Sequence, residues 1–113
     1  MHEYSLVQAL MHRVAREAES RGAVAVHRLS VRIGSLAGVD PELFASAYSL
    51  WREGTLCADA ELVIEPVEAR WTCPRCGQGM QPGAVLRCPE CGVPAQLSAG
   101  DEIILDRIEM EVP

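Results

Sequence analysis

Two copies of one short motif constrain this chain more than any other feature. Cys73-Pro74-Arg75-Cys76-Gly77 and Cys88-Pro89-Glu90-Cys91-Gly92 both read C-P-x-C-G. Two residues between thiolates let one tight turn offer both sulfurs to a tetrahedral ion at about 2.3 Å. The proline presets that turn. The glycine permits a positive φ, so backbone N–H groups can aim at the sulfurs and offset the thiolate charge. The spacer Gly77 to Arg87 closes a loop over the site. Four thiolates fill a tetrahedral zinc and leave no open position, so Cys73, Cys76, Cys88 and Cys91 are expected to form a structural centre. A redox iron of the rubredoxin kind is the rival occupant. It usually sits in an aromatic shell, and only Trp71 lies near these knuckles.

The segment around the motifs, Trp71 to Ser98, is rich in proline and glycine and has no helical pattern. It is too small to fold on an apolar core, so zinc must supply much of its folding free energy. It reads as a lobe, residues 71–98, inserted into a domain made of residues 1–70 and 99–113.

That domain shows alternating periodicities. Leu6, Val7, Leu10, Met11, Val14 and Ala18 recur at spacings of three and four, which predicts an amphipathic helix over Ser5–Arg21 closed by Gly22. Val24–Ile33 reads as a strand with Leu29, Val31 and Ile33 on the buried side. After a loop at Gly34–Gly38, Asp40 looks like an N-cap, with Pro41 in the first helical position and a helix to Glu53. Glu61–Arg70 reads as a strand whose Pro66 suggests a bulge or an edge. Ile103–Val112 reads as a strand with Ile104, Ile108, Met110 and Val112 buried. The expected fold is α+β: a small antiparallel three-stranded sheet packed with two helices, plus the zinc-ribbon-like insert.

Charge and hydropathy exclude several function classes. The net charge of −6 opposes a broad phosphate-binding surface, so nucleic acid is not an expected partner. No stretch approaches the ~20 apolar residues of a membrane span, and Glu3, Gln8, His12 and Arg13 interrupt any secretory-type apolar region. A cytoplasmic protein without a membrane partner is the expectation. No nucleophile–base pair, paired-acid arrangement or phosphate loop points to an enzyme.

The amino end is a second candidate site. In Met1-His2-Glu3, the terminal amine and the His2 backbone nitrogen can close a five-membered ring on a metal. That nitrogen and the His2 imidazole can close a six-membered one. Such donors suit square-planar Ni(II) or Cu(II), with Glu3 able to complete the square. The bulk of His2 should block removal of Met1, which preserves the geometry.

Met-His-Glu at the start, Ser5-Leu6 on the following helix, the loop from Ile33-Gly34 to Val39, and the two knuckles together resemble the HypA/HybF hydrogenase maturation family. The resemblance spans essentially the whole chain. It implies a nickel metallochaperone that binds Ni(II) at its N-terminus and helps insert it into the hydrogenase large subunit. It implies nickel held through His2 with the Met1 amine and nearby backbone nitrogens, with Glu3 modulating the site. It also implies structural zinc on the four motif cysteines, a HypB-type GTPase as partner, and in some members urease maturation proteins. No histidine occurs between Trp71 and Ser98, so the extra nickel ligand that some members carry there is missing. Asp40 is a further candidate, in competition with its role as helix cap. The alternative function is a zinc-ribbon protein-interaction module without nickel transport, which accounts for the knuckles and gives His2 no task. His12 and His27 read as surface side chains. Cys57 has no assigned role. Trp71 is expected at the junction between the lobes.

Overall fold

The computed structural model describes residues 2–81, 83 and 85–113. Helix α1 spans His2–Ser20 and buries Val7, Leu10, Met11, Val14 and Ala18 along one stripe. Its end has the Schellman pattern: Ala23 N–H donates to the Ala18 carbonyl at 2.9 Å and Gly22 N–H to that of Glu19 at 3.1 Å. Gly22 takes φ 66°, the left-handed conformation this cap needs. Helix α2, Pro41–Trp51, starts as the sequence predicts. Asp40 Oδ1 accepts from Glu42 N–H at 2.9 Å and Leu43 N–H at 3.3 Å, with Pro41 in the first turn. Its buried face is Phe44, Ala47 and Tyr48.

Strand β1 (Ala25–Gly34) is the centre of a three-stranded sheet, flanked by β2 (Glu61–Val67) and β5 (Ile103–Glu111). The sheet is mixed, which corrects the antiparallel expectation: β1 and β2 run parallel, β1 and β5 antiparallel. Parallel neighbours need a long crossover. The stretch between β1 and β2, which contains α2, supplies it. The last two large strands therefore do not pair with each other. Both still end beside the C-terminal end of β1, where Gly34 pairs with Val67 and Ile33 with Ile103. The knuckle segment leaves and re-enters at that one end. Pro66 lies on an edge strand, as Pro66 without an N–H requires.

The burial expected for β5 is also corrected. Ile104 is 42% exposed and Val112 51%. The register skips Asp106 between the pairs Ser30–Arg107 and Val31–Leu105. One extra residue reverses the alternation. Ile103 and Leu105 before the skip, and Ile108 and Met110 after it, pack against the core. Val112 lies beyond the strand. A second register shift, at His27, explains why Val26 and Leu29 both point inward.

Both helices pack on one sheet face, around Val26, Leu29, Val31, Ile33 and Phe44. The outer face carries charge instead. Arg28 lies between Glu61 (3.0 Å) and Glu109 (3.6 Å), and Arg32 between Glu65 (3.9 Å) and Asp106 (3.6 Å). Exposed pairs of this kind add little stability. They keep an uncovered sheet face solvated.

The knuckle segment begins and ends in a second, two-stranded antiparallel sheet, β3 (Arg70–Thr72) with β4 (Gln96–Ala99). The loop after β1 stitches both chain crossings to the larger sheet. Ser35 N–H donates to the Val67 carbonyl at 2.8 Å, Leu36 N–H to that of Gly100 at 2.7 Å, and Ala69 N–H to Ser35 Oγ at 3.1 Å. Backbones touch here: a Cβ on Gly34 would lie 2.2 Å from the Gly100 carbonyl carbon. The radius of gyration is 17.8 Å. A compact chain of this length would have about 13 Å. The projecting knuckles account for the elongation.

Candidate metal centres

The four motif cysteines converge. Their sulfurs all lie within 4.8 Å of one another, and Cys76 and Cys88 Sγ are 3.7 Å apart. Metal–sulfur bonds of about 2.3 Å in a tetrahedron require edges of about 3.8 Å, so the set fits zinc. Each knuckle is built the same way. Cys73 N–H donates to Gln78 O, Gly77 N–H to Cys73 O and Met80 N–H to Trp71 O, all at 2.9 Å. Cys88 to Val93, Gly92 to Cys88 and Ala95 to Leu86 repeat these bonds fifteen residues later, also at 2.9 Å. The bridges Thr72–Gly79 and Arg87–Pro94 follow the same shift. Gly77 and Gly92 have φ 78° and 70°. Arg75 N–H reaches Cys73 Sγ at 3.4 Å and Cys91 N–H reaches Cys88 Sγ at 3.4 Å, the sulfur-directed bonds the motif predicts.

The electrostatics of this cluster call for a cation. The backbone N–H of Cys76, assisted by that of Arg75, lowers Cys73 to about 6 against the opposing effect of burial. Its contact with Cys76, then burial and the other sulfurs, push Cys91 up to about 12. One thiolate forms readily, and Cys76 and Cys91 then hold their protons. A divalent ion supplies the positive charge that lets all four ionise. Among the described residues from Trp71 to Ser98, Cys73 and Cys88 are the buried ones, at 2% and 1% exposure. The described residues of the lobe form no apolar core, so its metal is structural.

At the amino terminus, α1 begins at His2, and the first N–H groups of any helix lack intrahelical partners. His2 is exposed. Met1 lies outside the described residues. Glu3 is only 9% exposed, and its carboxylate accepts the Asp40 N–H at 3.1 Å. That bond, then one from its own N–H, holds Glu3 below the ordinary carboxylate range. The starts of α1 and α2 are thus tied together, with Asp40 serving as cap through Oδ1. The Glu3–Asp40 bond is a contact that the sequence motifs do not announce. The sole signal was a glutamate in a first helical turn ahead of a buried stripe.

The remaining sequence expectations fall into place. Cys57 is buried in the core, where desolvation raises its thiol pKa. His27 is exposed, 3.0 Å from Glu111. His12 is exposed, its ring nearly perpendicular to that of Trp51 with centroids 6.4 Å apart. Trp71 is half-buried in β3.

A two-layer α+β unit bearing a closed four-thiolate centre beside a separate sheet defines a zinc-stabilised α+β protein. The family described as "Hydrogenase/urease nickel incorporation, metallochaperone, hypA" matches residues 1–110. The hydrogenase maturation factor HypA of a Synechococcus species is 39% identical over 97% of this chain and 99% of its own. That of Aquifex aeolicus is 34% identical over 99% of both chains. The solution structure of the Ni metallochaperone HypA from Helicobacter pylori superposes with a TM-score of 0.74 at 30% identity, covering 98% of each chain. The chain belongs to the HypA family. It is a nickel-incorporation metallochaperone of hydrogenase maturation, and zinc is its structural cofactor.

Proposed function

We propose that nickel is carried at the amino terminus, by the Met1 amine and the His2 backbone nitrogen and imidazole, with Asp40 as the fourth donor and Glu3 orienting the site. The observation behind this reading is the joining of the two helix starts, where Glu3 grips the Asp40 N–H at 3.1 Å beside exposed His2. Backbone nitrogens at a helix start are free of helical bonds and so available as donors. Nitrogen donors around one ion favour square-planar Ni(II). The Glu3 carboxylate is engaged elsewhere, so it orients the site rather than ligating. Asp40 uses Oδ1 as the cap, which leaves Oδ2 to complete the square.

The division of labour follows the two lobes. Residues 1–70 and 99–113 carry nickel, and residues 71–98, held by zinc, form a rigid attachment. The chain acts as a carrier and not a catalyst. A HypB-type GTPase supplies nickel, the hydrogenase large subunit receives it, and urease maturation proteins are a second destination. No helix among the described residues is long and apolar enough to cross a membrane. The cytoplasm is where such a handover takes place.

Calorimetric nickel titration tests the site. The parent chain should bind one equivalent, and both His2→Ala and a Gly-Ser extension ahead of Met1 should abolish that step. Unchanged uptake by the extended chain would eliminate the amino-terminal site.

A further inference from the structure

The two helices differ on their solvent sides. Outside its buried stripe, α1 carries Arg13, Arg16, Glu17 and Glu19, as an ordinary solvated helix does. Within Pro41–Trp51 of α2, Glu42 is the one charged residue. Leu43, Ser46 and Leu50, at helical spacings of three and four, share its outer face. Leu43 is 46% exposed and Leu50 69%. Two leucines this exposed along one helix face form an apolar ridge that nothing among the described residues covers.

Charge marks what would cover them. Glu42 lies at the start of this face and Glu53 just past its end, both exposed. Neither joins any ion pair among the described residues, whereas the acids of the outer sheet face are matched by Arg28 and Arg32. The nearby cation is turned away. Arg52 donates to the Ala60 carbonyl at 3.2 Å and lies over the Tyr48 ring. The face is an uncharged apolar ridge with an unmatched carboxylate at each end. A second copy of this chain would bring the same acids against it. The start of the ridge is the Asp40 cap, bonded to Glu3 beside His2. Glu42 lines the same cleft as Glu3 and Asp40, so a protein taking nickel from that end reaches the start of the ridge.

We propose that the outer face of α2 is the docking surface for the nickel recipient, through an apolar segment flanked by basic side chains. The assignment rests on nickel being carried at the amino terminus. Apolar contact at Leu43 and Leu50 holds the complex, and the two carboxylates orient it and speed encounter.

The test uses purified hydrogenase large-subunit precursor as the probe, with affinity read by biolayer interferometry and nickel affinity by calorimetry. Leu43→Gln/Leu50→Gln should weaken precursor binding by about tenfold or more, with nickel affinity, zinc content and thermal unfolding unchanged. Glu42→Lys/Glu53→Lys should slow association and flatten its salt dependence. Val63→Gln/Ile104→Gln, on the outer sheet face, should bind like the parent. His2→Ala should lose nickel yet retain precursor binding, which separates failure of the carrier site from failure of the dock. Parental precursor affinity in the leucine double variant would overturn the proposal. So would a loss confined to the GTPase partner.

Discussion

The sheet-and-helix lobe and the knuckle lobe are held together by different physics. In the first, Val7, Val14, Leu29, Val31 and Phe44 are essentially sealed from water, and the fold follows from burial of aliphatic surface. In the second, the buried side chains among the described residues are two thiols, and the polypeptide around them is turn and loop. A fold made by burial is set by periodicity and tolerates changes of spacing in its loops. A fold made by four ligands is set by spacing and tolerates most changes between them. The harshest way to break this comparison is metal removal. Chelation should unfold residues 71–98 and leave the helical far-ultraviolet signal and the core methyl shifts near native. Structural zinc of this type contributes on the order of 10 kcal/mol or more to the folding of its lobe. Amide resonances of the knuckles that stay dispersed without metal would refute the claim that the lobe lacks a core.

The reciprocal experiment acts on the other lobe. Phe44→Ala removes a fully buried ring and should cost about 3–5 kcal/mol. Thermal unfolding followed by helix signal should shift down, with zinc still bound by the four cysteines. Zinc released together with the helices would show that the knuckles depend on the larger core.

How well each lobe could be read in advance follows the same division. The knuckles were legible in full, because ligand identity and spacing are local and the N–H···S bonds follow from the turn. The caps at Gly22 and Asp40 were legible for the same reason. Strand order was not. Periodicity identifies a strand's faces but not its neighbours, so the parallel pair made by the β1–α2–β2 crossover is invisible to it. The extra residue at Asp106 was hidden too, since Ile103-Ile104-Leu105 offers apolar side chains to both faces. At the amino terminus His2 could be chosen by its chemistry. The Glu3–Asp40 bond spans thirty-seven positions and carries no local signature.

The junction between the lobes gives a test of intermediate size. Gly34→Ala would drive a Cβ to 2.2 Å from the Gly100 backbone, where no flexible side chain can yield. Overpacking of this kind costs about 1–3 kcal/mol. Residual dipolar couplings should show that the knuckle lobe has changed orientation while both lobes keep their internal structure. Unaltered couplings would mean that the seam does not set the angle between them.

The smallest effect separates two roles of one residue. Asp40→Ala removes the α2 cap and should cost about 0.5–2 kcal/mol. Asp40→Asn keeps an oxygen at the cap and should unfold within a few tenths of a kcal/mol of the parent. If Oδ2 is a nickel donor, both variants weaken nickel binding, because neither presents a carboxylate. If Asp40 is a cap alone, only the alanine variant perturbs the site, through loss of order around the Glu3–Asp40 bond. The Glu3 bond adds a pH signature. Glu3 titrates lower in the folded chain than its ordinary value, so its stabilising contribution is complete above the ordinary carboxylate range. That contribution disappears as acid protonates the folded-state group. In Glu3→Gln the acid-side loss of stability should shrink relative to the parent, and chemical denaturation across the acid range measures it. An identical acid profile in the two chains would remove Glu3 as the tie between the helix starts.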